Sequence, residues 1–193
     1  MNLSRPLLLA SNSPRRKELL ASLGLIFDVR VKEVNEDFPE HLKRAEVAEY
    51  LASHKADAYA ADIETEALIT ADTIVCLGDK ILNKPENHEE AFAMLRVLSG
   101  TSHEVITGVC IMTKKQKVVF HDVTKVYFKH LSDAEINYYI TNYKPFDKAG
   151  AYGIQEWIGM TGIKRIEGSY FNVVGLPVQK LYQKLVELNV VKL

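Results

Sequence analysis

The stretch from Leu7 to Gly24, L-L-L-A-S-N-S-P-R-R-K-E-L-L-A-S-L-G, leaves this chain the fewest choices. Its opening apolar run, Leu7 to Ala10, is too short for a helix. A polar turn separates it from Leu19, Leu20 and Leu23, which recur at helical spacing. Strand, turn and helix follow in that order. Ser13 suits the N-cap because its hydroxyl accepts from free amides of the first turn, and Pro14 suits the next position, where no amide hydrogen is needed. Gly24 reads as the stop. The first turn then breaks a local rule, since it carries partial positive charge and prefers Asp or Glu, yet Arg15, Arg16 and Lys17 follow the cap. A phosphate on the free amides, gripped by the two guanidiniums, would supply the missing negative charge. Solvated cations, or cations paired with a distant carboxylate, satisfy the same sequence.

A second constraint lies at Leu68 to Leu77, L-I-T-A-D-T-I-V-C-L, the most strand-like run in the chain, with Asp72 in its middle. An ionised carboxylate is costly to bury there unless it meets a cation, which places it at a strand end, a bulge or a metal site. Gly78 and Asp79 turn the chain into Ile81 and Leu82, and Lys84-Pro85 closes the unit. Upstream, Phe27, Val29 and Val31 alternate with polar residues as in a strand with one wet face. A helical pattern runs from about Arg44 to Ala61, with Lys55 on its apolar face between Leu51 and Tyr59. That lysine either points into a pocket or snorkels past the core, and its spacing favours snorkelling.

Downstream, Glu89 to Leu98 reads as an amphipathic helix stopped by Ser99-Gly100, followed by two strands, Glu104 to Met112 and Val118 to Lys129, forming a hairpin. Ser132 with Glu135 is a capping box, opening a helix whose tyrosines read as packing. Phe146 to Gln155, F-D-K-A-G-A-Y-G-I-Q, allows close backbone approach at its glycines and offers Asp147, Lys148 and Gln155 for polar contacts. A strand is expected around Phe171 to Val174, and Pro177 opens a last amphipathic helix.

The 193 residues are 47% hydrophobic with net charge -1, which suits a single domain, 1–193, with ample core. Near-neutral charge argues against long nucleic acid as a partner, whereas a small anion needs only a local basic pocket. No run approaches the ~18 apolar residues of a membrane span, and the first residues lack a signal-peptide core, so a cytoplasmic protein with no membrane partner is expected. Cys76 and Cys110 each sit in an apolar run and read as buried free thiols. The histidines show no metal-ligand spacing.

Together, a cationic helix start, acids at Glu36 and Asp72 and lysines at Lys55, Lys84 and Lys148 describe a polyphosphate site in which carboxylates hold a divalent cation incompletely. Neither a P-loop nor a dinucleotide fingerprint is present. Here the chain resembles the Maf proteins, nucleoside triphosphate pyrophosphatases first associated with septum formation. The likeness rests on S-N-S-P-R-R-K-E-L-L from Ser11, A-D-T-I-V from Ala71, N-K-P from Asn83, L-S-G from Leu98, D-K-A-G-A-Y-G-I-Q from Asp147 and G-S-Y-F-N-V-V-G-L-P from Gly168. It implies an α/β fold like that of the inosine triphosphate pyrophosphatases (Ham1-like), with a curved mixed sheet flanked by helices and two lobes around a cleft. It also implies Asp72 as catalytic acid and metal ligand, Glu36 as second ligand for Mg²⁺ or Mn²⁺, and Lys55 and Lys84 as phosphate lysines. Ser11, Ser13, Arg16 and Lys148 join them as substrate-binding residues, and Arg15, Thr73 and Gln155 match positions marking the branch that acts on dTTP and UTP. An amide at Gln155 can donate and accept along the edge of uracil or thymine, which an ionised carboxylate cannot. A 7-methyl-GTP pyrophosphatase and a non-enzymatic nucleotide sensor acting in septum formation are the alternatives, and the resemblance leaves a homodimer open.

Overall fold

A computed structural model describes residues 2–192. In chain order the elements are β1 (Asn2–Leu3), β2 (Leu7–Leu9), α1 (Pro14–Ala21), β3 (Asp28–Val29), α2 (Ala45–Asp57), β4 (Ala67–Leu77), β5 (Lys80–Leu82), α3 (His88–Leu98), β6 (Ser102–Met112) and β7 (Lys117–Phe128). They continue with α4 (Asp133–Tyr143), α5 (Trp157–Gly162), β8 (Ile163–Glu167), α6 (Tyr170–Val174), α7 (Val178–Glu187) and β9 (Val191–Lys192). β1 pairs with β9, and the other strands neighbour one another in the order β3-β2-β4-β6-β7-β8, with β5 beside β4. β2 runs parallel to β3 and β4, while β5 on β4 and β8 on β7 are antiparallel, so this is a mixed sheet, and helices flank it.

The chain packs as two compact units. One comprises the residues up to Asp72, Thr107–Asp122 and the residues from Gly175 on. Its central strands are covered on both faces, which is why Leu7–Leu9 is a continuous apolar run without alternation. Leu7, Leu9, Ile69, Val109 and Ile111 point one way, against Leu20 of α1 and Leu181 and Leu185 of α7. Leu8, Leu68, Cys110 and Met112 point the other way, against Ala52 and Ala56 of α2. Two features press α2 onto the strands. The buried Thr70 hydroxyl donates to the Ala52 carbonyl at 2.6 Å, and Gly108 has no side chain where a Cβ would lie 2.2 Å from the Ala48 carbonyl oxygen. Glycine is required there by close approach alone.

The second unit comprises Thr73–Ile106 and Val123–Val174. Its core gathers Ala91, Leu95 and Leu98 of α3, Ile136, Tyr139 and Ile140 of α4, and Val75, Val105, Val126 and Phe128 from strands. Ser132 and Glu135 form the expected capping box. His103 lies in the core at 2% exposure, its Nε2 2.7 Å from the Tyr152 hydroxyl and its ring edge-on to Phe128. Burial lowers its pKa to about 4.

Several expectations change in detail. Phe171 to Val174, read as a strand, belongs to the helix α6, whose buried Asn172 donates to the Val105 carbonyl at 3.0 Å. Five residues cannot reveal period by composition, and a buried amide anchored to a neighbouring strand decides the outcome. The strand expected over Phe27 to Val31 shrinks to β3, and α2 ends at Asp57 rather than Ala61. The pairing of β1 with β9, Asn2 opposite Lys192, carries no periodic signal at two residues each. Both cysteines are buried and free as expected, and burial pushes the Cys110 thiol up to about 12.

Candidate active site

In the first unit the site is built around the turn between β2 and α1. The Ser11 hydroxyl, buried below the turn, accepts from the Ser13 amide at 3.2 Å, and the Ser13 side chain caps the helix by accepting from the Arg16 amide at 3.4 Å. The first turn holds no acid. Arg16, expected to grip a phosphate, directs two of its N–H groups at backbone: Nε donates to the Gly175 carbonyl at 2.8 Å and one terminal nitrogen to the Ala71 carbonyl at 2.9 Å. Burial disfavours its charge and lowers its pKa, while the nearby Asp72 carboxylate works the other way.

Asp72 follows Ala71 on β4 and is 8% exposed. The cation it needs is Lys55, whose ammonium lies 2.5 Å from Asp72 Oδ1 and 2.7 Å from Glu36 Oε1. Lys55 therefore does not snorkel to water, as its helical spacing favoured. It is aimed inward, because Thr70 and Gly108 hold α2 close against the strands. The one ammonium is shared by the two acids, and the Arg16 guanidinium acts on both of them as well.

The second unit carries Thr73, Lys84, Lys148 and Gln155. Lys84 is exposed, in the loop after β5, where the Asn83 carbonyl accepts from the Gly150 amide at 3.2 Å and so ties that loop to the Phe146–Gln155 segment. Lys148 is 9% exposed and lies 2.6 Å from Asp147 Oδ1 and 3.2 Å from Glu156 Oε1. Its charge is largely answered within the chain. Gln155 is exposed in a turn closed by the Glu156 amide donating to the Gly153 carbonyl at 3.0 Å. Glu156 also accepts from the Tyr139 hydroxyl, and neither residue stands out in the sequence. Their signal is faint, an acid one residue past the recognisable motif and one tyrosine among several on a helix.

The donor set fits a divalent cation of limited protein ligation. Among the described residues no group of three or more His, Cys, Asp or Glu side chains is placed to hold a metal. Asp72 and Glu36 instead offer two carboxylates that converge on one ammonium, and Mg²⁺ characteristically takes one or two carboxylates, with substrate oxygens and water completing its shell.

The family model described as Maf-like protein matches residues 6–188. The chain belongs to the Maf family. Among its relatives, the dTTP/UTP pyrophosphatase of Parabacteroides distasonis is 54% identical over 181 residues, covering 93% of this chain and 94% of the relative. The protein of the same name from Flavobacterium psychrophilum is 53% identical, covering 91% of each chain. The Bacteroides fragilis dTTP/UTP pyrophosphatase is 51% identical over 97% of this Maf chain and 98% of its own. Among solved structures, a Ham1 protein from Coxiella burnetii has TM-score 0.47 at 15% identity, over 95% of this chain and 99% of that one. Among the described residues no helix of this Maf chain is long and apolar enough to cross a membrane.

Proposed function

We propose that this chain is a nucleoside triphosphate pyrophosphatase hydrolysing dTTP and UTP to the nucleoside monophosphate and pyrophosphate. The observation that carries the reading is Asp72, a carboxylate 8% exposed within β4 and paired with the Lys55 ammonium at 2.5 Å. Burying such a pair contributes little to stability compared with apolar residues of similar volume, so a use for the charge is the better account. The names of the relatives above point to the same substrates.

In this reading water attacks the α-phosphorus, a P–O bond forms, the bond to the β-phosphate oxygen breaks, and pyrophosphate departs with its electron pair. Asp72 orients the water and takes its proton. Lys55 loses part of its hold on Asp72 as charge builds on the phosphate, so it can turn toward the phosphate oxygens. Arg15 and the positive end of α1 offset phosphate charge, and Lys84 adds a further cation. Arg16 acts as a brace, since its carbonyl contacts fix the residue before Asp72. Asp72 and Glu36 would hold Mg²⁺ or Mn²⁺, which when bound polarises the phosphate oxygens. Gln155 reads the pyrimidine edge through its amide. We further place the protein in the cytoplasm, a reading supported by its two buried free thiols.

The test is Asp72→Asn, which keeps the shape and removes the base. With dTTP and Mg²⁺, and with folding checked by circular dichroism, the variant should lose at least ~100-fold in rate, within the range general-base catalysis supplies. Chromatography should show pyrophosphate and dTMP from the wild-type protein. A folded variant turning over at the wild-type rate, or products of phosphate and dTDP, would end this reading.

A further inference from the structure

Tyr139 does more than pack. Its ring, on α4, is fully buried among Ile136, Ile140 and the core of the second unit. Its hydroxyl, however, reaches the turn at Gly153 to Glu156 and touches both ends of it. It accepts from the Gly153 amide at 3.0 Å and donates to the Glu156 carboxylate in a short hydrogen bond. A phenol has one proton to donate, and here that proton is committed, so the hydroxyl's orientation is fixed. The other oxygen of Glu156 faces Lys148 at 3.2 Å. Within the turn, the Glu156 amide donates to the Gly153 carbonyl at 3.0 Å, which makes Ile154 and Gln155 its two central residues. Ile154 is anchored in the core, whereas Gln155 is exposed.

We propose that Tyr139 is a positioning residue for nucleobase selection: by holding Gly153 at one end of the turn and Glu156 at the other, its hydroxyl fixes the backbone that presents Gln155. The inference rests on the reading of Gln155 as the residue that meets the base. Gly153 contributes by absence, because a Cβ there would lie 2.9 Å from Gln155 Nε2 and 3.0 Å from the Glu156 carboxyl carbon. The side chain of Gln155 thus lies close over the turn backbone. A bidentate amide contact discriminates between bases only while its donor and acceptor are held in register with the base edge. A ring that merely fills the core would give no reason for both turn ends to converge on one hydroxyl.

Tyr139→Phe keeps the ring and removes the hydroxyl. kcat/KM is measured for dTTP, UTP, dATP and GTP on the wild-type protein, Tyr139→Phe, Gln155→Ala and the double variant. The preference for pyrimidine over purine triphosphates should fall about tenfold in Tyr139→Phe, the equivalent of one lost hydrogen bond, with the loss in KM and kcat for dTTP within about threefold. Gln155→Ala should lower the same preference, and the double variant should fall no further, because both exchanges remove one function. If Tyr139→Phe proves unfolded, Glu156→Ala removes the hydroxyl's acceptor from the solvent side and should reproduce the loss of preference. An unchanged preference in Tyr139→Phe, or losses that add in the double variant, would overturn the inference while Gln155→Ala still shows its effect. An unchanged preference in Gln155→Ala would remove the reading on which it depends.

Discussion

Replacing Arg16 by Leu separates a brace from a ligand. The guanidinium makes two backbone contacts, at 2.8 Å to Gly175 and 2.9 Å to Ala71. Hydrogen bonds from charged donors contribute about 1.5–3 kcal/mol each, and the low end applies to a side chain that is only partly buried. The loss in Arg16→Leu is therefore about 3 kcal/mol. Arg16→Lys can restore one contact and should lose about half as much, because an ammonium lacks the planar fork that reaches both carbonyls. With a urea m-value of about 2 kcal/mol/M, the midpoint should drop by about 1.5 M for Leu, with an unchanged slope. Hydrolysis of dTTP under saturating substrate should slow, since the Ala71 carbonyl fixes the strand where Asp72 begins, while KM changes less. Equilibrium urea unfolding followed by tryptophan fluorescence, with steady-state kinetics on the same preparations, measures both. A Leu variant within about 0.5 kcal/mol of wild type whose defect lies wholly in KM would refute the brace and return Arg16 to the phosphates.

Other consequences are equally direct. Lys55→Met leaves Asp72 and Glu36 without the ammonium between them, and should lower kcat while tightening Mn²⁺ binding several-fold, read by titration calorimetry; weaker Mn²⁺ binding would contradict the arrangement. Gly108→Ala forces a methyl against the Ala48 carbonyl and should cost about 1–3 kcal/mol, with reduced activity because α2 carries Lys55; thermal melts and pyrophosphate release test both. His103 titrates at about 4 in the fold against about 6.5 unfolded, so the unfolded state binds more protons between those values. Its contribution is thus complete above pH 6.5 and lost as pH falls toward 4, about 2 kcal/mol of it by pH 5. Unfolding midpoints of wild type and His103→Gln across this range should converge as pH falls, and parallel profiles would disprove the assignment.

What could be read in the sequence divides along physical lines. Local rules were legible: Ser13 and Pro14 start α1, Ser132 and Glu135 close a capping box, and the turn at Gly78 joins β4 to β5. Asp72 was legible because a carboxylate in an apolar strand demands a partner, but the identity of that partner was not. Lys55 occupies a helix face at a spacing where a lysine can snorkel, and the hold of Thr70 and the close approach at Gly108 turn it inward. Arg16 stood out by breaking the helix charge rule, yet backbone carbonyls have no signature in sequence, so its contacts with Ala71 and Gly175 could not be foreseen. Tyr139 and Glu156 meet across the fold, and helical periodicity records only that the tyrosine faces inward. Residues Phe171 to Val174 read as a strand but fold as a helix, because so short a segment takes its structure from what its buried amide meets.

The pairing of β1 with β9 and the packing of α7 against β2 also bear on how the chain comes to be folded. Leu181, Leu185 and Val190 are wholly buried beside Leu9 and Leu20, and the Ser4 amide donates to the Val190 carbonyl at 3.0 Å. The first unit thus draws its core from the start, middle and end of the chain. During synthesis its early strands must wait, with apolar faces uncovered, until the last helix leaves the ribosome. Contacts of such long sequence separation also slow folding in solution. The interval before α7 docks is when this protein is most exposed to aggregation and to chaperone capture.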